Sequence, residues 1–251
     1  MTPNLLVLGG TTEASALCRR LAEAEITAQL SLAGRVERPK RQPLPVRIGG
    51  FGGVDGLVRT LQDEGITHVI DATHPFAAQM SRNAIAACAR AQVPLLALTR
   101  PAWKAEPGDQ WQHVPDIAGA VAALDRAPTR VLLAVGRMHL ADFAPNPQHH
   151  YVLRLVDPPE APLPLPDRTV IVDRGPFSLE NDRALMLDHG IGIVVSKNAG
   201  GTGASAKILA ARALGLPVIM IDRPSIPTRP EVHDVEAAMT WLGAHGVDLG
   251  V

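Results

Sequence analysis

Short unbroken apolar runs alternate with amphipathic stretches along the whole chain. Leu5 to Leu8, Ile26 to Leu32, Leu44 to Ile48, His68 to Asp71 and Pro94 to Leu98 predict strands, and Glu13 to Ala24, Leu57 to Glu64 and Ala77 to Ala91 carry helical spacing. Strands apolar on both faces and separated by helices predict a parallel sheet covered on both sides. The polar, Pro-rich stretch Thr99 to Gln110 reads as a loop, and a loop that long in a compact domain is often functional. The order then restarts. Val131 to Val135, Val152 to Val156, Val170 to Asp173, Ile191 to Val195 and Val218 to Ile221 predict strands, and Leu179 to Asp188, Ser205 to Leu214 and Val235 to Leu242 predict helices.

The halves match each other. Thr73 ends one strand and Pro94 opens the next, 21 residues on; Ser196 and Pro217 repeat that interval. Pro94 leads into L-L-A-L-T-R-P and Pro217 into V-I-M-I-D-R-P, so Arg100-Pro101 corresponds to Arg223-Pro224. An Asp-led helix follows each block, at Asp116 and Asp234. The chain therefore reads as α/β, with two similar Rossmann-like domains, mostly parallel sheets and a cleft between them. The expected domains are 1–127 and 128–251.

Composition narrows the partners. Lys plus Arg number 24 and Asp plus Glu 25, a formal net charge of -1, which argues against a nucleic acid or a membrane surface as the main partner. With Trp 3, Tyr 1 and Phe 4, rings are too few for a single-strand stacking platform. Cys18 and Cys88 form neither a disulfide framework nor a zinc motif and read as small core residues of a reducing compartment. No window is long and apolar enough to span a bilayer, and the start MTPNLLVLGG has no basic leader, so a cytoplasmic protein is expected. No metal is expected either: there is no Cys/His cluster, and the pair His149-His150 is too small a ligand set. A Walker loop and G-x-S-x-G are absent, and Tyr151 has Leu155, not Lys, four residues on.

The sharpest motif is the first strand and its turn, L-L-V-L-G-G-T-T-E-A. A strand ending in Gly9-Gly10 and feeding a helix has the form of a dinucleotide-binding turn, where glycine admits a pyrophosphate and free helix N–H groups favour its charge. Thr11 stands at the second glycine position, offering a hydroxyl, and Ala14 at the third. An NAD site would place an acid at the end of the second strand. Here Ser31-Leu32-Ala33-Gly34-Arg35 has none, and Arg35, Arg38, Lys40 and Arg41 suit a 2′-phosphate, which points to NADPH. Later strand ends carry G-G-F-G-G (49–53), D-A-T-H-P-F (71–76), Gly136-Arg137, D-R-G-P-F (173–177) and S-K-N-A-G-G-T-G (196–203). Ligands of open α/β sheets lie beyond the carboxyl ends of strands. Arg100, Arg137, Arg174 and Arg223 would make that region cationic.

The ordered set L-G-G-T-T-E-A, G-G-F-G-G, D-A-T-H-P-F-A, L-T-R-P-A-W, V-G-R, D-R-G-P-F and S-K-N-A-G-G, from Leu8 to Gly201, resembles the precorrin-6A reductase family of cobalamin biosynthesis. The resemblance implies an NADPH-dependent reductase. It adds hydride and a proton across one double bond of a corrin precursor, at carbons 18 and 19, giving precorrin-6B; some members take the cobalt-containing analogue. It implies cofactor contacts at Gly9, Gly10, Thr11, Thr12, Glu13, Arg35, Thr73, His74 and Phe76. For the polycarboxylate tetrapyrrole it implies contacts at Arg100, Arg137, Lys197, Asn198 and Gly201. The proton could come from Lys197, His74 or water. Ala199 stands where the family pattern has Ser. A two-domain sugar-nucleotide transferase and a non-catalytic NADPH sensor are the competing classes.

Overall fold

The computed structural model describes residues 2–34, 41–159, 161–173, 175 and 177–249. Its elements are β1 (Leu5–Leu8), α1 (Thr12–Glu23), β2 (Ala28–Leu32), β3 (Val46–Ile48), α2 (Gly53–Asp63), β4 (His68–Asp71), α3 (Ala78–Ala91) and β5 (Leu95–Leu98). Then come β6 (Gln110–Val114), α4 (Ile117–Ala123), β7 (Arg130–Ala134), two 3₁₀ turns (Arg137–His139 and Ala141–Phe143), β8 (His150–Leu155) and β9 (Arg168–Val172). The chain continues with α5 (Leu179–Asp188), β10 (Ile193–Lys197), α6 (Ala206–Ala213), β11 (Pro217–Ile221), β12 (Glu231–Val232) and α7 (Val235–Ala244). Among the described residues every strand pair is parallel. The α/β expectation of two parallel sheets holds, with order β12-β5-β4-β1-β2-β3 in one and β6-β11-β10-β7-β8-β9 in the other.

The period of two explains how the first sheet is covered. Leu5, Val7, Leu30, Ile70, Leu96 and Leu98 point to one face, where α1 and α7 bring Leu17, Leu21, Met239 and Leu242. Leu6, Leu8, Val69 and Leu95 point to the other, against Leu57 and Leu61 of α2 and Ala84 and Ala87 of α3. Cys18 and Cys88 are buried one on each side, and burial pushes their thiols up to about 11 and about 12. In the second unit Leu132, Val152, Val194, Val218 and Met220 meet Met186 of α5 and Ile208 of α6. Burying a Leu, Val or Ile side chain contributes about 1.5–3 kcal/mol, so these layers are the main stabilising term.

The boundary differs from the expected 127/128. One unit comprises Met1–Pro101 with Ser225–Val251, the other Ala102–Pro224. The reason is a reciprocal exchange of the outermost strand. β6, from the first half, pairs with β11, and β12, from the second half, pairs with β5. The chain crosses after Arg100-Pro101 and returns after Arg223-Pro224, the dipeptides that the repeat had matched. β6 (QWQHV) starts at Gln110, where the expected loop ended, and covers residues to which the sequence reading gave no element; it is an edge strand with a largely exposed, polar pattern. The repeat is also shifted by two residues. With Leu95 and Val218 equivalent, the ladders set Asp71, and not Thr73, at the place of Ser196. Among the described residues no helix is long and apolar enough to cross a membrane.

Candidate active site

β1 delivers the chain to Gly9-Gly10, and Thr11 caps α1 in an extended conformation. The two glycines are required for different reasons. A Cβ on Gly9 would lie 2.4 Å from Leu30 Cδ1 and 3.3 Å from Ala14 Cβ, so Gly9 is required by tight packing against Leu30 of β2 and, less closely, Ala14 of α1. Gly10 has φ +117°, and a Cβ there would meet nothing within 4 Å. Gly10, rather than Gly9, is thus the position whose missing side chain leaves room above the turn. Thr11 Oγ1 accepts from the Ala14 N–H (3.1 Å) and donates to the Ala72 carbonyl (2.8 Å). Its proton is therefore committed to tying β1's turn to β4's, and the turn's offer to an anion is helix N–H groups rather than the expected hydroxyl.

Glu13, in the first turn of α1, accepts from Arg100 Nη1 (2.9 Å) and Thr12 Oγ1 (3.0 Å). The Arg100 and Glu13 side chains are only 12% and 23% exposed, so this is a half-buried pair. Arg100, expected among the substrate contacts, lies just past β5 in the first unit, where its pair with Glu13 braces the Gly turn. On β4, Asp71 is buried and accepts from Thr73 Oγ1 (2.7 Å), the Thr73 N–H (3.2 Å) and Ser81 Oγ (2.6 Å). Thr73's hydroxyl thus shapes the D-A-T-H-P-F turn from within. His74 Nδ1 accepts from the Phe76 N–H (3.2 Å), which leaves the proton of a neutral ring on Nε2. The His74 and Phe76 rings lie 5.8 Å apart, near the head of α3.

Sequence reasoning overlooked Arg47 on β3. Its Nη1 donates to Gly49 O (3.0 Å) and reaches Ser31 Oγ at 3.4 Å; Nη2 donates to Gly50 O (3.2 Å). Its guanidinium carbon sits 3.9 Å from the centroid of the Phe51 ring. The sequence carries the signal, a cation two residues before G-G-F-G-G, whereas the basic run expected to meet a 2′-phosphate lies just past β2. Arg35, with Arg38 and Lys40, lies outside the described residues, as does Arg174.

In the second unit, Lys197 ends β10 and Arg137 stands exposed after Gly136, at the ends of two neighbouring strands. Asn198 and Gly201 behave otherwise. Asn198 is buried; its Oδ1 accepts from the Trp103 N–H (2.8 Å) and its Nδ2 donates to the Trp103 carbonyl (3.0 Å). The Gly201 carbonyl accepts from Trp103 Nε1 (2.7 Å). Arg223 donates to the Asn198 and Ala199 carbonyls (3.0 and 3.1 Å), and the buried Lys207 ammonium lies 5.1 Å from the Trp103 centroid. The side-chain amide of Asn198, expected on the substrate, is committed to the segment after the first crossing. Among the described residues no group of three or more His, Cys, Asp or Glu is placed to hold a metal ion.

Residues 4–243 match the family described as precorrin-6x reductase CbiJ/CobK. The chain is 60% identical over 242 residues to a precorrin-6A reductase of Rhodobacter capsulatus, covering 96% of each. It is 47% identical to a precorrin-6A reductase of a Sinorhizobium species, over 96% of this chain and 94% of that one. A cobalt-precorrin-6A reductase of Priestia megaterium is 31% identical, over 88% and 91%. A solved structure described as CobK precorrin-6A reductase superposes with a TM-score of 0.96 at 59% identity, covering 99% of this chain and 100% of that one. The ordered strand-end motifs, the two parallel sheets and these matches agree: the chain belongs to the precorrin-6x reductase family.

Proposed function

We propose that this protein is a precorrin-6A reductase of cobalamin biosynthesis, working in the cytoplasm with NADPH as its reductant and producing precorrin-6B. The observation that carries this is the 60% identity, over 96% of both chains, to a protein of that name. The cobalt-free substrate is favoured over its cobalt analogue by the drop in identity from 60% and 47% to 31% between the two kinds of relative.

The residues present fit a dinucleotide phosphate. The turn at Gly10 is open above a capped helix start, and β2 ends in Ser31-Leu32 with no acid to hold a 2′-hydroxyl. In this reading Gly9, Gly10, Thr11, Thr12 and Glu13 form the pyrophosphate turn, with Arg35 on the 2′-phosphate and Thr73, His74 and Phe76 shaping the wall at β4. When bound, NADPH supplies the hydride. Arg137 and Lys197 attract and orient the macrocycle's carboxylates. Asn198, Gly201 and Arg100 act on the site by holding the loops that carry it. His74 Nε2–H and the Lys197 ammonium are the two candidate proton sources.

The test is anaerobic turnover with purified precorrin-6A. NADPH is consumed only when the pigment is added, and the product gains two hydrogens by mass spectrometry. NADPH consumption without pigment, no consumption with it, or turnover confined to the cobalt-containing analogue would refute the assignment.

A further inference from the structure

We infer that Arg47 is a further residue that selects NADPH over NADH, a role that rests on the NADPH reading above and adds to the one given there to Arg35. In a dinucleotide fold the end of the second strand faces the adenine ribose, and what stands there decides whether a 2′-hydroxyl or a 2′-phosphate is accepted. In this chain Ser31 occupies that place on β2, and the ladder sets Arg47 of β3 directly beside it. A small neutral side chain next to a guanidinium accepts a phosphate and gives a bare hydroxyl no strong partner.

Three features of Arg47 fit the task. First, the side chain is already positioned. Gly49 O, Gly50 O and Ser31 Oγ engage three of the five N–H groups of the fork, and Phe51 lies under it. Ordering a rotamer-rich side chain on binding is a recognised cost, which an arginine already held in place avoids. Second, the donors left over, Nε–H and one Nη2–H, make a two-pronged partner for phosphate oxygens, which Lys cannot supply. Third, the ground next to it is open. A Cβ built on Gly49, Gly50, Gly52 or Gly53 meets nothing within 4 Å. The G-G-F-G-G turn thus both holds the guanidinium through its carbonyls and leaves room beside it.

A purely structural Arg47 would brace the same carbonyls, so the readout has to be cofactor preference rather than stability. Arg47→Ala is titrated with NADPH and with NADH by calorimetry, alongside its melting temperature. The dissociation constant for NADPH rises about tenfold or more, as expected for loss of a charge-assisted pair, while that for NADH moves less than about twofold. An unchanged NADPH/NADH ratio, or an equal loss for both, overturns the inference. Should the Ala variant fail to fold, Arg47→Lys is measured instead; it keeps the charge, loses the fork, and cuts the preference by roughly threefold or more. No change in that ratio is again fatal to the inference. Unaltered protein that binds both cofactors equally, or neither, fails differently: it refutes the NADPH reading itself.

Discussion

Replacing Asn198 by Ala separates two roles that the same residue can be given. If Asn198 contacts the tetrapyrrole, the change raises the Michaelis constant and leaves the fold alone. The geometry points the other way. Both ends of the amide engage the Trp103 backbone, at 2.8 and 3.0 Å, and Asn198 is 6% exposed. Each bond is worth about 0.5–1.5 kcal/mol net, and a buried N–H or C=O left without its partner costs about 1–3 kcal/mol. Trp103 is only half-buried, so water recovers part of that, and the expected loss is about 2–4 kcal/mol. At roughly 2–4 °C per kcal/mol for a chain of this size, the unit spanning Ala102–Pro224 should melt about 4–16 °C lower. Differential scanning calorimetry resolves that transition. A melting profile indistinguishable from the parent, together with a raised Michaelis constant for precorrin-6A, would sink the positioning role and restore Asn198 as a substrate contact.

Two further outcomes follow from the geometry. Gly9→Val should lower unfolding free energy by about 1–3 kcal/mol through overpacking on Leu30, whereas Gly10→Val, strained at φ +117° but pointing into open space, should weaken NADPH binding more than it weakens the fold; paired denaturation and titration check this, and equal stability of Gly9→Val and the parent counts against it. Burial holds the His68 imidazole below 6.5, the His245 carbonyl bond opposing and the nearby His245 charge adding, so the unfolded chain takes up its proton first; the first unit is then fully stable above about pH 6.5, loses stability as pH falls through that value toward the folded-state one, and His68→Gln should flatten this slope in urea midpoints measured against pH.

The strands and helices of the two sheets could be read from periodicity because their side chains answer to a single environment, the two-sided core. Leu5 to Leu8 and His68 to Asp71 match to the residue for that reason. What failed was partner choice. β6 (QWQHV) and β12 (two residues) are short edge strands with weak apolar pattern. Nothing in a strand's own alternation says which sheet it will join, since the ladder is made by backbone groups common to all residues. The repeat itself was visible, and its Arg-Pro markers fall at both crossings, yet a repeat looks the same whether the last strand stays with its own half or is exchanged.

The site divides along the same line. Residue types announced which strand ends carry chemistry, because glycines and cations beyond parallel strands have few structural reasons to cluster. Residue types could not announce what each side chain is already bonded to. Thr11, Thr73 and Asn198 all carry groups that could meet a ligand, and each has those groups committed within its own unit: to Ala72, to Asp71 and to Trp103. Arg47 shows the converse. Its partners are mostly carbonyls, which engage its donors without neutralising its charge, so the guanidinium keeps its attraction for an anion while losing its freedom to move. A polar residue at a strand end therefore contributes to binding in proportion to what its local bonds leave over. On that measure the open ground at Gly10 and the held fork of Arg47 are the first unit's strongest features for a dinucleotide phosphate.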